Sequence, residues 1–243
     1  MWLQDSTESK EIDEIKSNLL TRFSHEFKTP LISIKGFADF LLMGYKSNLD
    51  EKIISFLKRI KEGSNRLEAL INSFIESSQL EKTLIRVKLK QEDVSDLVQD
   101  VFHELEGFIG MRKHTIIMSL DEKLITTIDK ERIYTVISHI LINAIDYTPQ
   151  GGKISIKSSI DKNFLTISVK DNGIGLTEEE KKCLFKPFGK IERYGKGWDI
   201  IEGGIGMGLY ISKEIIELHG GKIWVESEGR CKGSEFHFSL PIK

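Results

Sequence analysis

His25 lies in the stretch Ser24-His25-Glu26-Phe27-Lys28-Thr29-Pro30-Leu31. Around it Leu19, Phe23, Phe27, Leu31, Ile34, Ala38 and Leu41 recur every three or four residues, the spacing of one apolar helix stripe. At about 100° per residue the stripe gathers on one side, which predicts that His25 points away from it, into solvent. Thr29, one turn on, shares that outward face, flanked by Arg22, Ile32 and Gly36. A solvated imidazole titrates near neutrality, and its neutral Nε2 is a nucleophile. Glu26 stands beside it as a proton acceptor or donor. Pro30 removes a helix hydrogen bond and is expected to bend or loosen that turn.

Four further groups of residues carry a different chemistry. Asn143-Ala144-Ile145-Asp146-Tyr147-Thr148-Pro149 ends a helical pattern dominated by Ile and Leu. An amide there needs a partner, and its oxygen can ligate Mg²⁺, a hard cation that prefers oxygen and phosphate. Asp171-Asn172-Gly173-Ile174-Gly175 follows a strand pattern. Its carboxylate can accept a hydrogen bond from an adenine amino group, and the glycines let backbone approach a ring. Phe185-Lys186-Pro187-Phe188 opens a glycine-rich stretch. Gly203-Gly204-Ile205-Gly206-Met207-Gly208-Leu209 leads into a helix, where exposed N–H groups and the helix N-terminus favour phosphate. A dinucleotide fingerprint is excluded there, because the spacing is G-x-G-x-G and no clear strand precedes it.

His-Glu-Phe-Lys-Thr-Pro-Leu at 25–31 resembles the phosphoacceptor box of sensor histidine kinases, the dimeric kinases of two-component signalling. The later groups, in their order, resemble the N, G1, F and G2 boxes of the same family's Bergerat-type ATP site. The likeness spans the chain from the first helix to Pro241. It implies that His25 attacks the γ-phosphorus of ATP, with Glu26 as proton acceptor. The phosphoryl group then passes to an aspartate of a response-regulator receiver domain, which docks on the face with Ile32 and Gly36. Thr29 is implied to position water in a phosphatase reaction on that partner. Asn143 is the implied Mg²⁺ ligand. Asn143, Tyr147, Asp171, Gly173, Gly175, Phe188, Gly204, Gly206, Gly208 and Leu209 are the implied ATP-binding residues.

Two positions depart from the family pattern. His139 stands where a second Asn is usual, and Asp146 where Lys or Arg is usual near the phosphates. A carboxylate at 146 repels ATP unless it points away or sits nearer the metal. This leaves open a second reading, a weakly active or degenerate nucleotide-binding dimeric scaffold. Lys186, Lys190 and Arg193 are candidate compensating cations, and Ser234 replaces a Thr near the adenine. A third reading, an ATPase of the GHKL type releasing free phosphate, is also open.

The elements that must hold these residues read as follows. A capping box at Asp5–Glu8 precedes a helix to about Met43, which Gly44 stops. Asp50 caps a second helix reaching Leu80. Two such helices form an antiparallel hairpin with an apolar stripe half uncovered, which two hairpins bury as a four-helix bundle. A homodimer through residues 8–84 is therefore expected. A strand is expected over Leu84–Lys90, then a helix capped by Asp93 to about Glu106, with His103 and His114 ordinary. Strands follow at His114–Leu120 and Leu124–Asp129, and a helix at Glu131–Tyr147. A hairpin joins Lys153–Ser159 to Phe164–Asp171. A short helix from Thr177 to Leu184, a helix at Gly208–Leu218 and a last hairpin complete an α/β sandwich, a mixed sheet packed on three helices. The fold class is thus an α-helical hairpin plus α/β, with domains at 1–84 (dimerisation and phosphotransfer) and 85–243 (ATP binding). Lys186–Gly203, glycine-rich and irregular, reads as either a disordered stretch or a functional lid.

A length of 243 residues suits one large or two small domains, and a formal net charge of −2 gives no broad electrostatic case for nucleic acid or anionic membrane. Two cysteines, Cys183 and Cys231, lie far apart, which argues for a reducing compartment and against a disulfide framework or zinc site. No apolar run approaches a membrane span or a signal peptide. A cytoplasmic location is expected, with tethering to the inner membrane face open if the chain is the cytoplasmic part of a longer sensor.

Overall fold

A computed structural model describes residues 27–45, 49–80, 87–189 and 206–242. The chain divides into two compact units, Met1–Ile85 and Arg86–Lys243. Helix α1, described over 27–44, and helix α2, Glu51–Leu80, belong to the first unit. Asp50 starts α2, its Oδ1 accepting from the Lys52 backbone N–H at 2.7 Å. Lys35 pairs with Glu68 at 3.0 Å and Lys61 with Asp39 at 2.6 Å. Ascending positions on α1 meet descending positions on α2, so the helices are antiparallel. Leu31, Ala38, Leu57 and Ser64 are buried on the hairpin. Phe27 and Ile34, expected in the buried stripe, are exposed in the single chain, as are Thr29, Ile32 and Gly36. His25 and Glu26 lie outside the described residues.

The second unit runs β1 (Lys90–Asp93), α3 (Val94–Arg112), β2 (Thr115–Ser119), β3 (Ile125–Ile128), α4 (Lys130–Tyr147), β4 (Lys153–Asp161), β5 (Phe164–Asp171), α5 (Glu178–Cys183), α6 (Gly208–Leu218), β6 (Lys222–Glu226) and β7 (Glu235–Pro241). β1 pairs antiparallel with β3; the larger sheet has the order β2-β4-β5-β7-β6. β2 runs parallel to β4 and the other neighbours are antiparallel, so the sheet is mixed. Period-2 alternation sends Ile154, Ile156, Leu165, Ile167, Val169, Phe236, Phe238 and Leu240 to one buried face. α4 and α6 cover that face, and α3 packs on α4.

Two expectations need correction. Of the strand anticipated over Leu84–Lys90, residues 84–86 lie outside the described residues, 87–89 are irregular, and β1 begins at Lys90. Its pairing is set by β3 partners at Ile125–Ile128 rather than by the alternation of apolar and basic residues before it. α3 continues past Glu106 to Arg112, through Gly107 and Gly110. Ile109 extends its buried stripe, and the helix stops where Lys113 turns left-handed at φ 55°. Burial of one more turn outweighs the roughly 1 kcal/mol that each helical glycine costs.

Candidate functional site

The cleft of the second unit is built where α4 ends, β5 ends and α6 begins. Asp129 caps α4 by accepting from the Arg132 N–H at 3.4 Å, and Asn143 and Tyr147 fall one turn apart near its far end. Asn143, Tyr147, Asp171, Ile174, Gly175, Leu176, Leu209, Ser234 and Phe236 line a space of about 300 Å³. Its mainly apolar walls with a few polar groups match the usual chemistry of small-molecule sites.

Asp171 is the polar floor. Its Oδ1 accepts from the Gly173 N–H at 2.7 Å and the Ser234 N–H at 3.3 Å. Burial nevertheless pushes its pKa up to about 6, against the lowering from those backbone donors. Gly175 forms the turn beside it at φ +65°, and a Cβ there would come within 2.0 Å of the Gly229 carbonyl oxygen. Only glycine fits both the conformation and that contact.

Of the residues expected to bind, Asn143, Tyr147, Asp171, Gly175 and Leu209 share the cleft. Gly173 is behind the wall, holding Asp171 through its N–H. Phe188 is exposed and does not line the cleft. Gly206 (φ +80°) closes on Gly189, whose carbonyl oxygen a Cβ at 206 would meet at 2.4 Å. The two ends of the 190–205 segment therefore meet at a pair of glycines. Gly208 opens α6, away from the lining. Gly204, Lys190 and Arg193 lie outside the described residues. Ile174, Leu176 and Phe236 were not singled out in the sequence. Their signal was available: buried apolar residues between or opposite the glycines of a strand end.

The two departures have structural explanations. Asp146 does not line the cleft; burial pushes its pKa up to about 6, and the charge that opposes this is that of Arg112. Arg112 is itself buried and donates to the Thr148 carbonyl at 2.9 Å. His139 packs at the start of α6, its Nδ1 3.2 Å from Ser212 Oγ, which donates to the Gly208 carbonyl at 2.8 Å. Burial lowers the His139 pKa to about 4, so the ring is neutral. The Asn143 amide lines the cleft without a protein hydrogen bond among the described residues. An amide oxygen so placed fits the oxygen preference of Mg²⁺, which takes few protein ligands and completes its shell with water and phosphate.

Fold and cleft together define a helical hairpin followed by an α/β sandwich with an apolar, carboxylate-floored cleft. Residues 15–83 match the His Kinase A (phospho-acceptor) domain, and residues 128–243 match the family of Histidine kinase-, DNA gyrase B- and HSP90-like ATPases. The chain is 30% identical over 244 residues to the sensor histidine kinase WalK of Bacillus subtilis (strain 168), covering 99% of this chain and 39% of WalK. The solved catalytic domain of histidine kinase ThkA is 30% identical, with a TM-score of 0.55, covering 63% of this chain and 95% of that domain. ThkA in complex with the response regulator protein TrrA matches over 99% of this chain and 66% of that one, at 26% identity and a TM-score of 0.65. The chain belongs to the two-component sensor histidine kinases, as a catalytic core. It spans well under half the length of WalK. No helix among the described residues is long and apolar enough to cross a membrane.

Proposed function

We propose that this chain is an ATP-dependent, autophosphorylating protein histidine kinase, organised as a domain of residues 1–84 for dimerisation and phosphotransfer and one of 85–243 for ATP binding. The observation that carries this is the cleft between Asn143 and Asp171, apolar along its walls with one buried carboxylate at its floor. Asp171, held by the Gly173 N–H, accepts the adenine amino group, Gly175, Tyr147 and Leu209 enclose the base, and Gly204, Gly206 and Gly208 with the start of α6 take the phosphates. Mg²⁺, held by the Asn143 oxygen together with the triphosphate, supplies charge neutralisation when bound.

His25 Nε2 forms a bond to the γ-phosphorus in line as the bond to the ADP oxygen breaks, and the imidazole proton passes to Glu26. The phosphoimidazole then gives its phosphoryl group to an aspartate of a response-regulator receiver domain. The solved ThkA–TrrA pair supports a partner of this kind. Thr29, exposed on α1, positions water to attack the partner's aspartyl phosphate, a phosphatase reaction that frees the carboxylate and releases inorganic phosphate. Exposed Phe27, Ile34, Ile53, Phe56 and Ile60 support a homodimer.

Radiolabelled ATP tests the reading. Acid-labile, base-stable label in the wild type that vanishes in His25→Gln is the expected result. Asp146, which leaves that position of α4 without a cation, favours the weakly active scaffold as the second reading. Measurable ATP affinity with no label supports the scaffold and sinks the kinase.

A further inference from the structure

Arg230 belongs to the turn between β6 and β7, far along the chain from the cleft wall it serves. Its Nη1 donates to the Gly175 carbonyl at 3.1 Å. Its Nη2 donates to Glu180 Oε1 in an ion pair. Glu180 spends its other oxygen on the Thr177 N–H at 2.8 Å, and its own N–H donates to Thr177 Oγ1 at 3.3 Å, a capping box for α5. The pair is mostly shielded, with side-chain exposures of 25% for Arg230 and 10% for Glu180. One guanidinium thus spans two groups that the cleft needs in register. Gly175 is lining, and α5 leads through buried Leu184 to the Lys186–Gly189 turn, the stem of the 190–205 segment.

The same turn makes further contacts along this seam. The Leu176 N–H donates to Ser227 Oγ at 3.0 Å, Lys181 Nζ donates to the Ser227 carbonyl at 3.1 Å, and the Cys231 N–H donates to the Ile174 carbonyl at 2.8 Å. Ser227 thus also ties Leu176 to α5, through the hydroxyl and the backbone carbonyl of one residue. Arg230 bonds both Gly175 and Glu180 through a single guanidinium.

We propose that Arg230 is a positioning residue for nucleotide binding, bracing the Gly175 wall of the cleft against α5. It touches neither base nor phosphate. Its planar fork holds a carbonyl and a carboxylate at once, which a lysine, with a single ammonium, holds only in part. A wall ordered before the ligand arrives saves the ordering cost on binding, so the effect falls on affinity rather than on phosphoryl transfer. The inference rests on the cleft being the nucleotide site.

The test is calorimetric titration of the whole chain with Mg²⁺·ADP, alongside autophosphorylation kinetics and unfolding without nucleotide. Arg230→Ala is expected to raise the ADP Kd about tenfold and the KM for ATP in proportion, with kcat within about twofold of wild type. Arg230→Lys is expected to recover part of the loss, about threefold above wild type. Glu180→Gln on top of Arg230→Ala adds little, because the pair is already broken. A folded Arg230→Ala that binds ADP as wild type does overturns the inference. So does a loss confined to kcat. If Arg230→Ala does not fold, Arg230→Lys decides, and an unchanged Kd there overturns it. A wild-type chain that binds no ADP removes the nucleotide reading itself, and the inference with it.

Discussion

Phe37, Phe40 and Phe56 on the helical hairpin stand 71%, 59% and 61% exposed, whereas Phe236 and Phe238 in the sheet of the second unit are 5% and 1% exposed. Among the described residues, both units carry aromatic side chains, but the buried ones belong to the second. A sheet with one face covered by α4 and α6 closes its core alone. A two-helix hairpin has one seam, here Leu31, Ala38, Leu57 and Ser64, and leaves its neighbouring stripe to water. An apolar surface of that extent marks a place where another surface belongs. The α/β unit therefore closes its own core around a cleft, whereas the hairpin leaves an apolar face that the proposed homodimer would cover. Polar pairing does not replace that burial: Lys35–Glu68 and Lys61–Asp39 are half-exposed, and such pairs are worth at most about 1 kcal/mol.

This contrast can be broken by substitution. The largest effect is expected from Phe238→Ala, a cavity in the core of the sheet, which should cost about 3–5 kcal/mol in denaturant unfolding of the second unit. A cost near zero would mean that the unit does not rely on its own core. Next, Asp171→Asn should lower ADP affinity at least about tenfold in calorimetry, because an amide is a poorer acceptor for the purine amine. Without nucleotide the same variant should be no less stable than wild type at pH 8, since it removes a buried charge.

The pH dependence follows from the raised pKa of Asp171. The ordinary value is 3.8 and the folded one about 6, so the folded state favours the protonated form. The stabilisation is complete below 3.8 and is lost as pH rises through about 6. Asp171→Asn should accordingly flatten the fall in unfolding midpoint between pH 5 and 7; Asp146, raised in the same direction, leaves a remainder. ADP affinity moves oppositely, weakening as pH drops through about 6, where the accepting carboxylate is lost. The smallest effect sharpens the other half of the contrast. Phe37→Ala should leave ADP binding unchanged and weaken self-association by about 1–2 kcal/mol, read by sedimentation across a concentration series. An unchanged association constant would remove this face from the dimer.

Much of the architecture was readable because its signals are local. Asp93, Asp129 and the Thr177–Glu180 capping box act within three residues, and helix or strand period shows over a dozen. The ends of elements were less legible: α3 was expected to end near Glu106 but runs on through two glycines to Arg112, with Ile109 buried. In the site, Asn143 and Asp171 announced themselves by type and context. Ile174, Leu176 and Phe236 did not, since an apolar residue facing a cleft and one facing a core look alike in sequence.

By itself the amino-acid order determined the two-unit plan, the helical hairpin, the set of strands and the succession of glycine, asparagine and aspartate groups around the cleft. Tertiary structure alone decided the strand order β2-β4-β5-β7-β6, the exclusion of Asp146 from the cleft lining, the burial that raises Asp171, and the meeting of Arg230 with Gly175 and Glu180. The reason is range. Propensity, capping and period act within a few residues of the chain, whereas desolvation and charge pairing depend on groups that only folding brings together.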